Sequence, residues 1–422
     1  MVKAGYKQTE VGEIPEDWEI EPLSKDVNLI SGHHILADYC NKSGLGTPYL
    51  TGPADFPDGR ITQTKFTTRP AALCDTGDLL ITVKGSGAGT IVEADSVYCI
   101  SRQLMAIRAK KWNKKFLYYS ILQNASQIQA ASAGLIPGLS RHDILDQEIP
   151  LPNDEDEQKA IADALSHVDS LIAWLEKLIK KKRDIKTATM QQLLTGKRRL
   201  PGFGEGKGKK QTQLGEIPED WDAARIGDNF DFKNGLNKAK QYFGHGTPIV
   251  NYMDVFSNYG IGASQIQGKV DVSRDEINNY SAKKGDVFFT RTSETVDEIG
   301  IAATLVEDVP NTVFSGFVLR AREKDGSKCL SLEFKKYCFH SEVVRKQVRS
   351  TSSYTTRALT NGKLLSEVRF PRPRDIREQE EIARAISNME SEISAIEKRL
   401  HKTKAIKQGM MQELLTGRTR LV

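Results

Sequence analysis

Gln8-Thr-Glu-Val-Gly-Glu-Ile-Pro-Glu-Asp-Trp18 recurs as Gln211-Thr-Gln-Leu-Gly-Glu-Ile-Pro-Glu-Asp-Trp221, a match that chance does not supply. A second repeat runs from Pro150-Leu-Pro152 through Leu193-Leu-Thr-Gly196. It returns from Pro371-Arg-Pro373 through Leu414-Leu-Thr-Gly417 at a constant offset and without a gap. The chain is therefore a tandem duplication. A period of about two hundred residues lies far above that of solenoid repeats, so each copy must be a complete domain plus a connector.

Between the shared segments the halves have drifted apart while keeping an outline. Gly46-Thr-Pro48 is answered by Gly246-Thr-Pro248, and Gly77-Asp-Leu-Leu-Ile-Thr82 by Gly285-Asp-Val-Phe-Phe-Thr290. The runs Leu79–Val83, Val287–Thr290 and Val313–Leu319 are β-branched or aromatic and bounded by Gly or Asp, which predicts strands. These regions read as α+β globules with a common scaffold and a variable surface.

The gap-free repeat reads as helix. Asp154 with Glu157, and Asp375 with Glu378, place a capping side chain and a reciprocal acid three residues later, just after a Pro-x-Pro stop. A four-three apolar rhythm follows: Ile161, Leu165, Val168, Ile172, Leu175 and Ile179 in the first copy, and Ile382, Ile386, Met389, Ile393, Ile396 and Leu400 in the second. Gly196 and Gly417 sit where a left-handed residue would end each helix. Helices of about forty residues with one apolar stripe need a partner. Each is predicted to be the other's, as an antiparallel coiled coil that relates the two halves by a pseudo-two-fold axis and holds a globule at each end.

Composition excludes little. With 422 residues two or more domains are expected. Sixty Lys and Arg against 55 Asp and Glu leave a net charge of +5, which permits nucleic acid without demanding it. No secretory leader and no membrane-spanning apolar stretch are evident, so a cytoplasmic protein is expected. Cys40, Cys74, Cys99, Cys329 and Cys338 are scattered without C-x-x-C spacing, and the adjacent His33 and His34 point in different directions. Neither a disulfide framework nor a metal site is expected.

The repeated Gly-Glu-Ile-Pro-Glu-Asp-Trp openings, the Glu157-Gln158 and Glu378-Gln379 helix starts and the Leu-Leu-Thr-Gly helix ends together resemble the specificity subunits of Type I restriction-modification enzymes, over the whole chain. The resemblance implies two target-recognition domains, each reading half of a bipartite, asymmetric double-stranded DNA site. It implies helices that fix the spacing and bind two adenine methyltransferase subunits, with translocase-endonuclease subunits as further partners and S-adenosylmethionine on the methyltransferase rather than on this chain. The expected division is 1–149 and 211–370 for the recognition domains, 150–200 and 371–422 for the helical regions, and 201–210 for a linker.

Candidate DNA-contacting residues follow from position and chemistry. Lys84 and Ser86 stand at the Gly85–Gly89 hairpin, where glycine lets backbone approach phosphate. A dinucleotide loop is the weaker reading, because Thr90-Ile-Val-Glu93 continues as strand. Arg291, Thr292 and Ser293 occupy the corresponding place, with an arginine able to grip guanine. Ser140 and Arg141, and Tyr354, Thr355 and Arg357, fall in hydroxyl- and arginine-bearing segments just before the helices. An ordinary solvated loop is the competing reading for each. Gly202–Lys210 lacks a leading strand and the Walker spacing, and reads as linker. Lys180–Arg183 reads as a solvated or partner-facing stripe.

No catalytic signature appears: neither an adenine-methyltransferase Asn/Asp-Pro-Pro-Tyr/Phe motif, nor a cofactor loop, nor a nuclease Asp-Glu-x-Lys cluster. A self-contained methyltransferase and a coiled-coil DNA-binding regulator are the rival readings. The regulator would carry a basic helix or helix-turn-helix and dimerise between chains, whereas here the symmetry lies within one.

Overall fold

Asp154 and Asp375 cap two helices of equal length, Glu155–Leu193 and Ile376–Leu414, each of 39 residues. Their Oδ1 atoms accept from the backbone N–H of Asp156 and Arg377, both at 2.9 Å. Gly196 and Gly417 follow with φ of +68° and +69°. A side chain there would also collide with Pro218 and Pro15 at about 2.5 Å, so only glycine fits. The computed structural model describes residues 4–85, 87–131, 138–326, 329–354 and 358–421. No helix among them is long and apolar enough to cross a membrane.

The chain forms two compact units, residues 1–177 with 397–422, and residues 178–396. Each holds the first part of one long helix and the last part of the other. In the first unit Asp169 pairs with Lys407 at 2.7 Å and Glu176 with Lys404 at 2.8 Å. In the second, Lys182 pairs with Glu392, and Lys186 with Glu390 at 3.2 Å. In both, rising numbers on one helix meet falling numbers on the other, so the packed segments run antiparallel. These part-exposed pairs set register more than stability.

Burial along the predicted stripe is uneven. Ile161, Leu165, Leu175, Ile179, Ile382, Ile386 and Ile393 are buried, whereas Val168, Ile172, Met389, Ile396 and Leu400 are half-buried. Ile161 and Leu165 join one core with Phe116, Tyr119 and Leu414, and Ile382 and Ile386 join another with Tyr337, Phe339 and Leu193. The first turns of each helix are thus embedded in a globule as well as packed on a helix.

Each globule is closed at its base by a two-stranded antiparallel ribbon. Trp18–Pro22 pairs with Glu148–Pro152, and Trp221–Arg225 with Arg369–Pro373. Inside the first closure lies a four-stranded sheet ordered Ile91–Glu93, Leu79–Thr82, Leu104–Ala109, Val27–Ser31, beside a five-stranded sheet in which Thr47–Leu50 and Tyr98–Ile100 run parallel. The second globule repeats this with Val287–Thr290 and Val318–Glu323 paired antiparallel, and Phe243–Val250 parallel to Val313–Phe314. The shared Gly-Asp pairs have a structural cause. Asp78 is buried and gripped by Arg108 at 2.7 Å, and Asp286 by Arg322 at the same distance.

One predicted strand is corrected. Val313–Leu319 is not continuous, because Ser315-Gly316-Phe317 turns the chain between two strands. The Ser315 Oγ accepts from the Phe317 N–H at 3.2 Å, and the Val318 N–H closes the turn on the Ser315 carbonyl at 3.0 Å.

The predicted reciprocal cap is also corrected. Glu157 and Glu378 do not reach back to the helix start. Each is buried and accepts from the indole N–H of Trp18 (3.2 Å) or Trp221 (3.0 Å) and from a two-pronged guanidinium. In the first unit that guanidinium is Arg420, which also grips Asp17 through two 2.9 Å bonds. In the second it is Arg199, which also grips Asp220 at 3.0 and 3.1 Å. A carboxylate out of water requires such partners.

Replacing Arg199 with alanine leaves Glu378 buried without its cation, and the second unit should lose about 3–5 kcal/mol. Hydrogen exchange reads this locally: amides around residues 217–222 and 376–382 should lose protection while those at 14–22 keep theirs. Unchanged protection at the first set would show that the clasp holds nothing. Burial pushes the Asp220 carboxyl up, but hydrogen bonds from Arg199 and Lys207 outweigh it and bring the group from 3.8 down to about 2. Its contribution to stability is therefore present above pH 3.8 and fades as pH falls towards 2. That acid dependence should be weaker in the variant.

Candidate nucleic-acid interface

In the first unit the strand Leu79–Thr82 runs out into Val83 and Lys84. Lys84 is exposed and forms an antiparallel bridge with Gly138, and the Leu139 N–H donates to the Val83 carbonyl at 2.9 Å. Two residues on, Ser140 caps the short helix Arg141–Leu145, its Oγ accepting from the Asp143 N–H at 3.2 Å. Arg141 is exposed and donates to the Ser31 hydroxyl at 3.0 Å. Lys84, Ser140 and Arg141 are thus brought together. Ser86 lies outside the described residues.

The second unit builds the same edge from other side chains. The Thr360 N–H donates to the Arg291 carbonyl at 3.1 Å, and Thr292 and Ser293 pair with Leu359 and Ala358. Arg291 is half-buried with Nη1 3.4 Å from the Gly316 carbonyl, and Ser293 donates to Glu298 at 2.9 Å. Tyr354 belongs to the strand Ser353–Tyr354, which pairs with Ala358–Leu359. Thr355 and Arg357 lie outside the described residues.

Beneath this edge Arg345 is buried and donates to the carbonyls of Gly300 (2.8 Å), Asp297 (2.8 Å) and Ile299 (2.7 Å). Burial pulls its pKa down to about 10, with Arg349 adding to the effect. It therefore stays cationic at neutral pH and tethers the segment that follows Ser293. The lysines of the Gly202–Lys210 segment are engaged within the chain: Lys207 binds Asp220, Lys209 binds Glu216, and Lys210 binds the Glu219 carbonyl. Lys182 belongs to the interhelical ladder.

Sequence reasoning missed a third segment of each edge. The Val83 N–H donates to the Gln103 carbonyl at 2.8 Å, and the Arg291 N–H to the Phe317 carbonyl at 3.0 Å. The turns Ser101–Leu104 and Ser315–Val318 therefore stand beside the predicted residues in both units. Their signal was an apolar-Ser-x-x-apolar frame at matching places, Ile100–Leu104 and Phe314–Val318.

Each turn leans on a glycine. A Cβ on Gly32 or Gly235 would lie 2.1 Å from the carbonyl oxygen of Ser101 or Ser315. Alanine at Gly235 should displace the turn and cost about 1–3 kcal/mol, as overpacking does. Urea unfolding with hydrogen exchange over residues 314–318 checks this. A variant as stable as the parent, with the turn equally protected, would show that the contact is not structural.

A family model described as "Type I restriction modification DNA specificity domain" matches residues 15–182 and 218–408. The chain is 33% identical over 200 residues to the putative type I restriction enzyme MjaX specificity subunit of Methanocaldococcus jannaschii, a match spanning 46% of this chain and 47% of that protein. To the MjaVIII specificity subunit of the same organism it is 24% identical over 428 residues, 99% of this chain and 96% of the relative. Among solved structures, the S subunit of a Type I restriction-modification system from M. genitalium matches with a TM-score of 0.55 at 16% identity, covering 94% of this chain and 96% of that one. A chain from a study of complex assembly and conformational transition of the type I R-M system matches with a TM-score of 0.59, also at 16% identity, covering 96% and 99%. At that identity the likeness establishes the fold.

Proposed function

Because the chain belongs to the Type I restriction-modification DNA specificity family, whose members are non-catalytic specificity subunits without a cofactor of their own, we propose that each of its globules reads one half of a two-part double-stranded DNA site. The rest of the chain docks two adenine methyltransferase subunits, which bring S-adenosylmethionine, and translocase-endonuclease subunits join that assembly. The observation carrying this reading is the edge built twice, with the same three backbone segments and different side chains. Constant backbone positions a protein on DNA, and variable side chains specify sequence.

Lys84, Arg141 and Arg291 supply cationic donors along these edges. Ser140 spends its hydroxyl on a helix cap, so it offers its position more than its chemistry. Ser86, Thr292, Ser293, Tyr354, Thr355 and Arg357 remain candidate contacts.

Mixing the purified chain with methyltransferase subunits and S-adenosylmethionine should give sequence-specific adenine methylation, whereas the homogeneous chain alone should give none. Robust methylation by the isolated chain would sink the assignment. The base ribbons supply a second test. The Leu23 N–H donates to the Gln147 carbonyl at 2.9 Å, and the Ile226 N–H to the Val368 carbonyl at 2.9 Å. Each globule is thus an insertion whose ends meet. Exchanging residues 23–147 for the matching segment of a relative should change one half of the methylated site and leave the other intact. If both halves changed together, the two-reader scheme would be wrong.

A further inference from the structure

The turns Ser101–Leu104 and Ser315–Val318 have the same frame and unlike tips. In both, the serine N–H donates to the end of the neighbouring parallel strand, Leu50 at 2.9 Å or Val250 at 3.0 Å. In both, the serine Oγ accepts from the third residue's N–H at 3.2 Å. The serines, Leu104 and Val318 are buried. The tips are Arg102-Gln103 in one unit and Gly316-Phe317 in the other. Arg102 and Gln103 are exposed, Phe317 is 59% exposed, and the Arg102 guanidinium has no ion-pair partner among the described residues.

The residue facing each tip differs in step with it. Gly52 faces Gln103 so closely that a Cβ would lie 2.3 Å from Gln103 Oε1. The matching position in the second unit is Tyr252, which with Phe317, Thr292 and Glu294 lines a concavity of about 400 Å³. In the first unit Arg102, Gln103 and Thr51 line one of about 490 Å³ whose further wall is His34, Ile35 and Lys65, from other elements than in the second unit. A frame held constant by buried hydrogen bonds, carrying exchangeable exposed tips over a concavity, is what presenting different chemistry to one kind of surface requires.

We infer that these turn tips are base-reading elements: Arg102 and Gln103 hydrogen-bond to base edges of one half-site, and Phe317 packs on a thymine methyl of the other. Arginine matches guanine O6 and N7 with two parallel donors, glutamine matches adenine N6 and N7 with a donor and an acceptor, and an apolar side chain suits the thymine methyl. The inference rests on the reading of the chain as a two-part DNA reader and names side chains that perform it.

The test uses the full chain assembled with its methyltransferase subunits. Methylated sites are mapped for the wild type and for Arg102→Ala, Arg102→Lys, Gln103→Ala and Phe317→Ala, each checked for folding by circular dichroism. Competition binding to duplexes carrying single base-pair changes covers variants that methylate weakly. Arg102→Ala, Arg102→Lys and Gln103→Ala should each lose discrimination at one base pair of one half-site, by about 5- to 150-fold, the range a bidentate contact supplies. Phe317→Ala should relax a position in the other half only. The lysine variant separates base from phosphate contact, since it keeps the charge and loses the paired donors. If Arg102→Ala weakens binding equally on every sequence and lowers the salt slope by about one, Arg102 holds phosphate and the inference fails. Unchanged selectivity in all four variants overturns it as well, while a wild-type complex with no two-part preference overturns the parent reading along with it.

Discussion

Glu157 and Glu378 are carboxylates almost wholly removed from water, at 2% and 1% exposure, and the rest of the architecture is arranged around their need for partners. An unpaired charge in that position costs several kcal/mol. Each receives an indole N–H from the Gly-Glu-Ile-Pro-Glu-Asp-Trp opening and a guanidinium from beyond a Leu-Leu-Thr-Gly helix end. The arginine also covers the tryptophan ring, with its guanidinium carbon 5.8 Å (Arg420) or 5.5 Å (Arg199) from the ring centroid. Three of the motifs that recur in the chain, the opening, the helix start and the segment at the helix end, supply the parts of this clasp. They resist drift because each is buried against the other two, while the globules between them vary.

The helices were legible because their determinants are local: a capping aspartate, an apolar rhythm and a glycine that only a left-handed turn accommodates. So were the strand cores, which carry β-branched and aromatic runs. The clasp was not, because Glu157 has its partners 139 residues earlier and 263 residues later in the chain, and a capping box three residues long was the nearer explanation. The split of Val313–Leu319 was hidden for a similar reason. Its strand propensity is real at both ends, but the Ser315 hydroxyl and carbonyl take the N–H groups of Phe317 and Val318 and close a turn between them.

Of the candidate interface, composition exposed the cationic and hydroxyl-bearing loops and missed the turns beside them. Arg102 and Gln103 look unremarkable in a chain with sixty basic residues. They become conspicuous only when the Val83–Gln103 and Arg291–Phe317 hydrogen bonds align both halves in space. The edge also divides labour. Arg345 and the glycines at 32 and 235 hold backbone in place, and the residues they support are free to differ.

The first unit receives its arginine from the end of the second long helix, and the second unit from the end of the first. Neither half of the duplication contains a whole clasp. A half-length chain would hold its opening and helix start at one end of a 39-residue helix and its own arginine beyond the other, so two copies would complete each other only at a rate and extent set by their concentration. Joining the halves makes that completion intramolecular, replacing bulk concentration with an effective one in the millimolar range or above. It also places the two globules under one gene with no requirement that they remain alike. A symmetric pair of identical halves is confined to palindromic targets; covalent duplication releases that confinement.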